Sequence, residues 1–186
     1  MKKNLLLTAL LIVMTGSLAM AQSQSSAFSN GDNLLNVGIG LGSPFFGSGY
    51  SASLPINPTV SFEHGVTDAI SVGGMISYAS SKYSYTVPGL AYTLKENATF
   101  LGVRGSYHFN QLWQIPDNFD VYGGASLGYV IVNVSDNQGY ATGTASGLGL
   151  GVFAGGKYYF QSNLAVYAEL GYQSLSVLNA GITFKF

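Results

Sequence analysis

Cysteine is absent from the sequence, and charged residues are scarce. Without a thiol the chain cannot form a disulfide scaffold, a thiolate metal site or a lipidated bacterial N-terminus. Charged residues make up 8% of the chain, against about 25% in an average soluble domain. The net charge of −1 provides no basic surface for nucleic acid. So little charge suits a protein whose outer surface faces lipid rather than water.

Long apolar runs are also rare, and the one run of note lies at the N-terminus. It belongs to a segment with a positive start, an apolar stretch and a small-residue cleavage site: Lys2 and Lys3, Leu5 to Met14, and Ala19 and Ala21. These features predict a secretory signal peptide over residues 1–21. A membrane anchor is the alternative, but the apolar run is shorter than the roughly 20 residues that a spanning helix needs. We expect residues 22–32 to form a flexible lead-in and residues 33–186 to fold.

Apolar and polar residues alternate with a period of two through the rest of the chain. In the last segment the apolar set is Leu178, Ala180, Ile182, Phe184 and Phe186, and small or polar residues lie between them. The same pattern recurs in segments that begin near residues 35, 58, 70, 101, 119, 147 and 164. Strands of about 9–11 residues in an even number are typical of a transmembrane barrel. The sequence therefore predicts an all-β fold: a closed antiparallel eight-stranded barrel, an up-and-down meander, apolar outside and polar inside.

Aromatic residues mark one rim of the predicted barrel. The even-numbered strands end in the members of a predicted aromatic girdle: Phe62, Tyr107, Phe109, Tyr158 and Phe160. The last strand ends at this rim and two of the connections there are tight, so we expect this rim to face the periplasm. The longer connections, 43–54, 79–97, 135–144 and 173–177, would then face outside.

The connection over residues 79–97 is the longest. It carries Tyr83, Tyr85 and Tyr92, and it alternates on both sides of a predicted turn at Pro88-Gly89. It is either a flexible loop or a hairpin that stands above the membrane. We expect the hairpin, and we expect it to be the main surface for an extracellular partner, with residues 135–144 beside it.

The parity of the strands directs several charges into the lumen. The predicted interior ion-pair network is Glu63, Arg104, Lys157, Glu169 and Lys185, with Asp120 near the rim. A buried charge without a partner is costly, so these groups are expected to pair and fill the lumen. A narrow conduction path is the alternative. The many inward glycines either make room for aromatic side chains or leave a void.

The two histidines, His64 and His108, offer little support for catalysis. Lipid modification would need a base beside a nucleophile near the outer leaflet. Both histidines fall at the opposite rim, and the sequence shows no evident Ser-His-acid arrangement around either. We therefore predict that the chain is not an enzyme and that it needs no metal ion or other cofactor.

Four segments resemble the family of small OmpA/OmpX-type outer-membrane β-barrels. They are Leu101 to Phe109, Val121 to Tyr129, and the closing pair Ala168 to Tyr172 and Asn179 to Phe186. The resemblance covers about residues 33–186 and includes no periplasmic domain, so peptidoglycan anchoring is not implied. It implies a monomer in the outer membrane of a Gram-negative bacterium, surrounded by lipid. Phe184 and Phe186 match the family's terminal signal for the barrel-assembly machinery.

Function varies within this family, so the resemblance implies location more firmly than activity. A structural or surface-interaction, adhesion-like role is expected. A small porin-like channel or carrier for a narrow solute is the alternative, and a lipid-modifying enzyme is a third possibility.

The terminal aromatic residue generates a test of assembly. Deleting Phe186 should slow insertion, because the assembly machinery would lose its signal. The folded, heat-modifiable fraction of the protein on cold gels should fall. An unchanged folded fraction in cells would count against Phe186 as an assembly signal.

Overall fold

The described residues fold almost entirely into β-strands. The computed structural model describes residues 26–43, 51–52, 56–87 and 90–186. Its eight long strands are β1 (Asn33–Leu41), β2 (Asn57–Gly65), β3 (Ile70–Val87), β4 (Leu90–His108), β5 (Phe119–Asp136), β6 (Gly143–Gln161), β7 (Leu164–Gln173) and β8 (Leu178–Lys185). A two-residue strand, Ser51–Ala52, pairs with β3, and one short helix, α1 (Asn110–Trp113), lies between β4 and β5. Within these ranges no helix is long and apolar enough to cross a membrane.

The strands close into a ring. Each long strand pairs antiparallel with the next one along the chain. β8 pairs with β1 from Leu34 opposite Lys185 to Leu41 opposite Leu178, which completes the barrel. The predicted eight-stranded meander is confirmed. The predicted signal peptide with its cleavage site at Ala19 and Ala21, residues 22–25 and the Pro88-Gly89 turn lie outside the described residues.

The alternation of the sequence separates two chemically different faces. On β2 the inward Thr59, Ser61 and Glu63 are buried, and the outward Val60 and Phe62 are exposed. The other strands largely repeat this arrangement, with exposed apolar side chains such as Val72, Val103 and Leu150 pointing away from the lumen. A soluble sheet would bury its apolar face. The inverse arrangement is the one that lipid stabilises.

The strands differ in length by a factor of about two, which shapes one end of the barrel. β1, β2, β7 and β8 have 8–10 residues, and β3 to β6 have 18 or 19. About ten residues suffice to cross the membrane at a tilt, so the four long strands continue beyond it. We call this part the extension sheet: residues 79–87, 90–98, 131–136 and 143–148. The predicted hairpin is confirmed, because β3 and β4 stay paired from Ala79 opposite Ala98 to Val87 opposite Leu90.

The segment before β1 corrects one expectation. Residues 26–32 do not form the predicted flexible lead-in; they pack into the rim at which β1 begins and β8 ends, here called the terminal rim. Phe28 is only 2% exposed and stacks on His108 with 3.5 Å between ring centroids. Lys185 Nζ donates a hydrogen bond to the Ser26 carbonyl at 3.0 Å. Stacking of the Phe28 ring inside the lumen and the contacts of Lys185 with Ser26 and Asp32 together hold the segment. We call residues 26–32 the N-terminal plug.

The inward glycines make room for large side chains. The Phe100 ring lies where a Cβ at Gly102 or Gly149 would be, and Tyr167 lies over Gly38 and Gly181 in the same way. The five aromatic residues Phe100, Tyr122, Phe153, Tyr159 and Tyr167 are all buried in the lumen. The question that the sequence left open is therefore answered at these positions: the glycines accommodate filling rather than leave a void.

Two glycines on β6 form a matched test of this packing. A Cβ at Gly149 would lie 2.7 Å from the Phe100 ring, whereas a Cβ at Gly147 meets nothing within 4 Å. Gly149→Val should lower the free energy of unfolding by about 1–3 kcal/mol, the usual cost of overpacking. Gly147→Val should change it by less than about 0.5 kcal/mol, since the site is open. Urea unfolding in detergent micelles would compare them, and equal effects would contradict the packing role.

Candidate functional site

Three layers of side chains fill the lumen. A charged layer around His108 lies at the terminal rim, a second charged layer around Arg104 lies at mid-barrel, and an apolar layer around Phe100 lies towards the far rim. Each of these three residues is 5% exposed or less. The chemistry of the lumen is therefore that of a sealed interior.

The middle layer is organised by Arg104 on β4. Its Nε lies 3.0 Å from Glu63 Oε1, and its Nη2 lies 2.7 Å from Glu169 Oε1. The guanidinium also lies over the Phe153 ring, 4.3 Å from the centroid, and the Tyr122 hydroxyl donates to Glu169 at 2.9 Å. A planar guanidinium carries five donors in a fixed fork and stacks on aromatic faces, so one side chain can bind two carboxylates and a ring at once.

The terminal layer is organised by Asp120 on β5. Its Oδ2 lies 3.1 Å from Lys157 Nζ, and its Oδ1 lies 2.7 Å from His108 Nδ1. The Lys157 ammonium also lies 3.6 Å from the centroid of the Tyr122 ring. The carboxylate therefore joins two nitrogen groups from neighbouring strands.

The five predicted interior charges all lie in the lumen, but in three separate pairings. Arg104 bridges the two glutamates, Lys157 pairs with Asp120, and Lys185 lies 3.7 Å from Asp32 of the N-terminal plug. Sequence reasoning missed Asp32 as a partner, because residues 22–32 were expected to be flexible. The alternation of β5 predicts that Asp120 points inward, but it does not predict that Asp120 pairs with both His108 and Lys157.

Ser71 connects the two charged layers, and it corrects a further expectation. Its hydroxyl donates to Glu63 Oε2 at 2.9 Å and lies 3.0 Å from His108 Nε2. Because Asp120 holds the other nitrogen of His108, the structure does contain a Ser-His-acid arrangement. No local sequence pattern predicts this arrangement, since the three residues come together only when the barrel closes.

Ser71, His108 and Asp120 are connected in the same order as the residues of a catalytic triad, but the hydrogen bond of the serine differs. In a triad the serine hydroxyl donates its proton to the histidine, whereas the Ser71 proton is committed to Glu63. Ser71, His108 and Asp120 are also buried, and Phe28 covers the histidine. His64, the other histidine, is exposed outside the barrel and lies 3.0 Å from Asn33 Oδ1. We find a buried hydrogen-bond chain rather than a nucleophile that a substrate can reach.

The far layer closes the opposite end of the lumen. It consists of the buried apolar residues Met75, Ala79, Ala98, Phe100, Val130 and Leu175. Leu175 comes from the turn between β7 and β8, which folds inward, and its carbonyl accepts a hydrogen bond from Asn57 Nδ2 at 2.7 Å. A connection that the sequence placed outside therefore contributes part of the interior.

The predicted girdle lies on the outer surface near the terminal rim. Its rings contact one another or further aromatic residues at 4.5 to 6.3 Å between centroids: Tyr107 with Phe109, Phe109 with Trp113, Phe119 with Tyr158, and Phe62 with Phe186. Phe160 is exposed nearby, and Phe184 is half-buried. Such rings suit the boundary between lipid and water, since part of each ring is apolar and the tyrosines carry a polar tip.

The extension sheet carries the predicted surface tyrosines. Tyr83 and Tyr85 are 38% and 52% exposed, and Tyr85 lies directly opposite Tyr92 across the hairpin. The Tyr92 hydroxyl donates a hydrogen bond to the carboxylate of Asp136, at the end of β5. Residues 135–144 are thus tied to the hairpin, so the two predicted surface elements form one unit.

Asp136 also organises the turn between β5 and β6. Its carboxylate accepts hydrogen bonds from the backbone N–H groups of Tyr140 at 3.0 Å and Ala141 at 2.9 Å. Desolvation acts to raise the pKa of Asp136, but the hydrogen bonds from the loop backbone and from the Tyr92 hydroxyl lower it by more. The carboxylate therefore stays ionised at neutral pH and holds the turn.

A closed barrel with an apolar exterior and a charge-paired, filled interior defines an integral membrane protein of the outer-membrane type. The chain belongs to the outer membrane protein beta-barrel domain family, whose model matches residues 7–185. This membership indicates that the protein resides in the outer membrane.

Several solved structures are similar in fold. The N-terminal barrel of OprF from Pseudomonas aeruginosa has 17% identity and a TM-score of 0.48, covering 85% of this chain and 99% of that chain. Ail from Yersinia pestis, solved with the heparin analogue sucrose octasulfate, has 14% identity and a TM-score of 0.49, covering 84% and 99%. Neisserial surface protein A has 18% identity and a TM-score of 0.45, covering 87% and 98%. No curated protein matches the chain.

The middle layer generates a test of interior pairing. Arg104→Met should lower the free energy of unfolding by about 3–5 kcal/mol, because it leaves two buried glutamates without a cation. Lys82→Met, which removes an exposed cation from the extension sheet, is the control and should cost less than about 0.5 kcal/mol.

A double-mutant cycle with Glu169→Gln measures the coupling directly. The double variant should lose less than the sum of the two single variants, because each removes the same interaction. Strict additivity in urea unfolding would refute the pairing of Arg104 with Glu169.

Proposed function

We propose that this protein is a filled outer-membrane barrel whose role is surface interaction, with the extension sheet as its contact surface. The observation that carries the proposal is the difference in strand length: four neighbouring strands continue as one paired sheet beyond the other four. A barrel that only spans the membrane does not need this sheet, because about ten residues per strand suffice to cross. An adhesion-like function would use the sheet as a contact surface.

The orientation of the barrel supports this role. Outer-membrane barrels have short periplasmic turns and longer extracellular connections. The turns at the terminal rim are mostly short, and the long hairpins lie at the other rim. We therefore place the terminal rim in the periplasm and the extension sheet outside the cell.

The chemistry of the extension sheet suits a protein partner. Tyr83 and Tyr85 are exposed on the hairpin, and Tyr140 is 86% exposed in the turn beside it. Tyrosine supplies a large, rigid contact area together with a polar tip at low entropic cost. Because strand pairing already orders the sheet, little further ordering is needed on binding.

The lumen opposes the alternative role of a channel. A solute would have to pass Phe28 in the N-terminal plug, the Arg104 pairs and the apolar layer around Phe100, all of which are buried. The same burial argues against catalysis, since Ser71 is sealed within the barrel. We assign both charged layers a structural role.

The hairpin can be removed to test the proposal. Replacing Ser81 to Lys95 with a short Gly-Ser turn should leave the barrel folded, because these residues lie beyond the lipid band. Binding to cells, matrix or a partner protein should fall. The double variant Tyr83→Ser/Tyr85→Ser should reduce binding without shortening the strands. The matched control replaces residues 114–117, at the terminal rim, with Gly-Ser and should keep full binding.

Two outcomes would contradict the proposal. If the shortened protein folds and keeps all its adhesion, the hairpin is only a connector. If planar-bilayer recording shows a stable conductance that Arg104→Ala alters, the filled-lumen account fails and the channel is favoured.

A further inference from the structure

The described part of β6 has one edge that no other described strand covers. β7 pairs with β6 only from Gly151 opposite Gln173 towards the terminal rim. β6 itself continues to Gly143, eight residues further, and there it pairs on its other side with β5. Residues 143–149 therefore present an open strand edge at the base of the extension sheet.

The open edge begins where β7 ends and the chain turns inward towards β8. The chain leaves β7 at Ser174, which adopts a left-handed conformation with φ of 61°, and Leu175 then enters the lumen. The Ser174 hydroxyl donates to the Leu150 carbonyl at 2.7 Å and so caps the end of the ladder. β7 ends at Gln173 and Leu175 turns into the lumen, so β7 gives β6 no neighbour beyond this point.

The direction of the free backbone groups follows from the ladder with β5. The Tyr159 N–H donates to the Asn118 carbonyl, and the pairing then runs without a break to Val134 opposite Gly143. In an antiparallel pair, alternate residues direct both backbone groups to the same neighbour. The odd-numbered residues of β6 thus bond to β5. Thr144, Ser146 and Leu148 direct their N–H and C=O groups to the open side.

Nothing in the local sequence protects this edge. Proteins usually block a free edge with a charge, a proline or a bulge. Residues 137–156 contain neither a charged residue nor a proline, and the pairing with β5 shows no bulge. The edge thus has the composition of an interior strand of a sheet, although no described strand pairs with it.

A groove of about 440 Å³ lies beside this edge. Its lining includes the apolar side chains of Val130, Val132, Leu148 and Leu150 and the ring of Tyr172. A side chain of an added strand would point into this groove, since neighbouring residues on a strand alternate between the two faces. The groove and the edge together thus match a peptide backbone and an apolar side chain.

We propose that the open edge of β6 is a strand-addition site for an extended, uncharged peptide segment of a partner protein. The proposal rests on the surface-interaction function and names the kind of partner. The backbone N–H and C=O groups of Thr144, Ser146 and Leu148 repeat every second residue, which is the spacing that an added strand would pair with. A lipid acyl chain offers no donors or acceptors to them, and the uncharged surface gives no attraction to a polyanion.

The probe is the peptide Thr-Val-Thr-Val-Thr-Val, acetylated and amidated, added to the full-length barrel in lipid nanodiscs. Saturating peptide should slow hydrogen exchange at the amides of Thr144, Ser146 and Leu148 by about tenfold or more, because each gains a partner. The amide of Ala145 is the internal control: it already bonds to β5 and should change little. Absence of slowing at the three open amides would overturn the proposal.

A matched pair of variants separates the backbone from the side chain. Ser146→Ala keeps the N–H and should bind the peptide like the parent protein. Ser146→Pro removes an N–H that β5 does not use, so the barrel should fold and peptide binding should be lost. If Ser146→Pro fails to fold, Thr144→Pro tests the same edge. Equal binding by the proline and alanine variants would refute strand addition.

The two proposals fail differently. If hairpin replacement abolishes adhesion but the peptide does not bind, surface interaction stands and strand addition is wrong. If a spin-labelled phospholipid broadens the signals of Val130 and Val132 and the peptide protects no amide, the groove binds lipid and the strand-addition proposal is also wrong.

Discussion

The pairing of Arg104 with Glu63 and Glu169 is the interaction on which the rest of the structure depends. Lipid outside the barrel requires apolar residues on one face of every strand, and period-two alternation then directs the polar residues inward. Water does not solvate the charges among them, because the interior of an eight-stranded barrel is only wide enough for side chains. Each must therefore find an opposite charge, and Arg104 provides the central one.

The filled lumen has consequences at both rims. At the terminal rim, Lys185 and His108 hold the N-terminal plug through Asp32 and Phe28. At the far rim, the turn after β7 folds inward so that Leu175 completes the apolar layer. β6 continues beyond the point where β7 ends and this turn begins, so its open edge starts beside the apolar layer.

The sequence predicts the strands, their faces and the hairpin well, because each depends on the local alternation of apolar and polar residues. Residues 79–97, for example, alternate as the membrane-spanning segments do. The pairing within the lumen is predicted less well. Ser71, His108 and Asp120 are far apart in the chain, and only closure of the ring brings them together. Phe28 was missed for the same reason: its binding surface exists only in the folded barrel.

The charges of the lumen are paired in a closed interior. Nuclear magnetic resonance of the barrel in lipid nanodiscs tests it most directly, through exchange of the Arg104 Nε–H proton with water. The sealed network predicts a resolved signal that exchanges far more slowly than that of an exposed arginine, because the group lies between Glu63 and Glu169 behind two closed layers. Rapid exchange with bulk water in the folded barrel would show an open lumen and contradict the account.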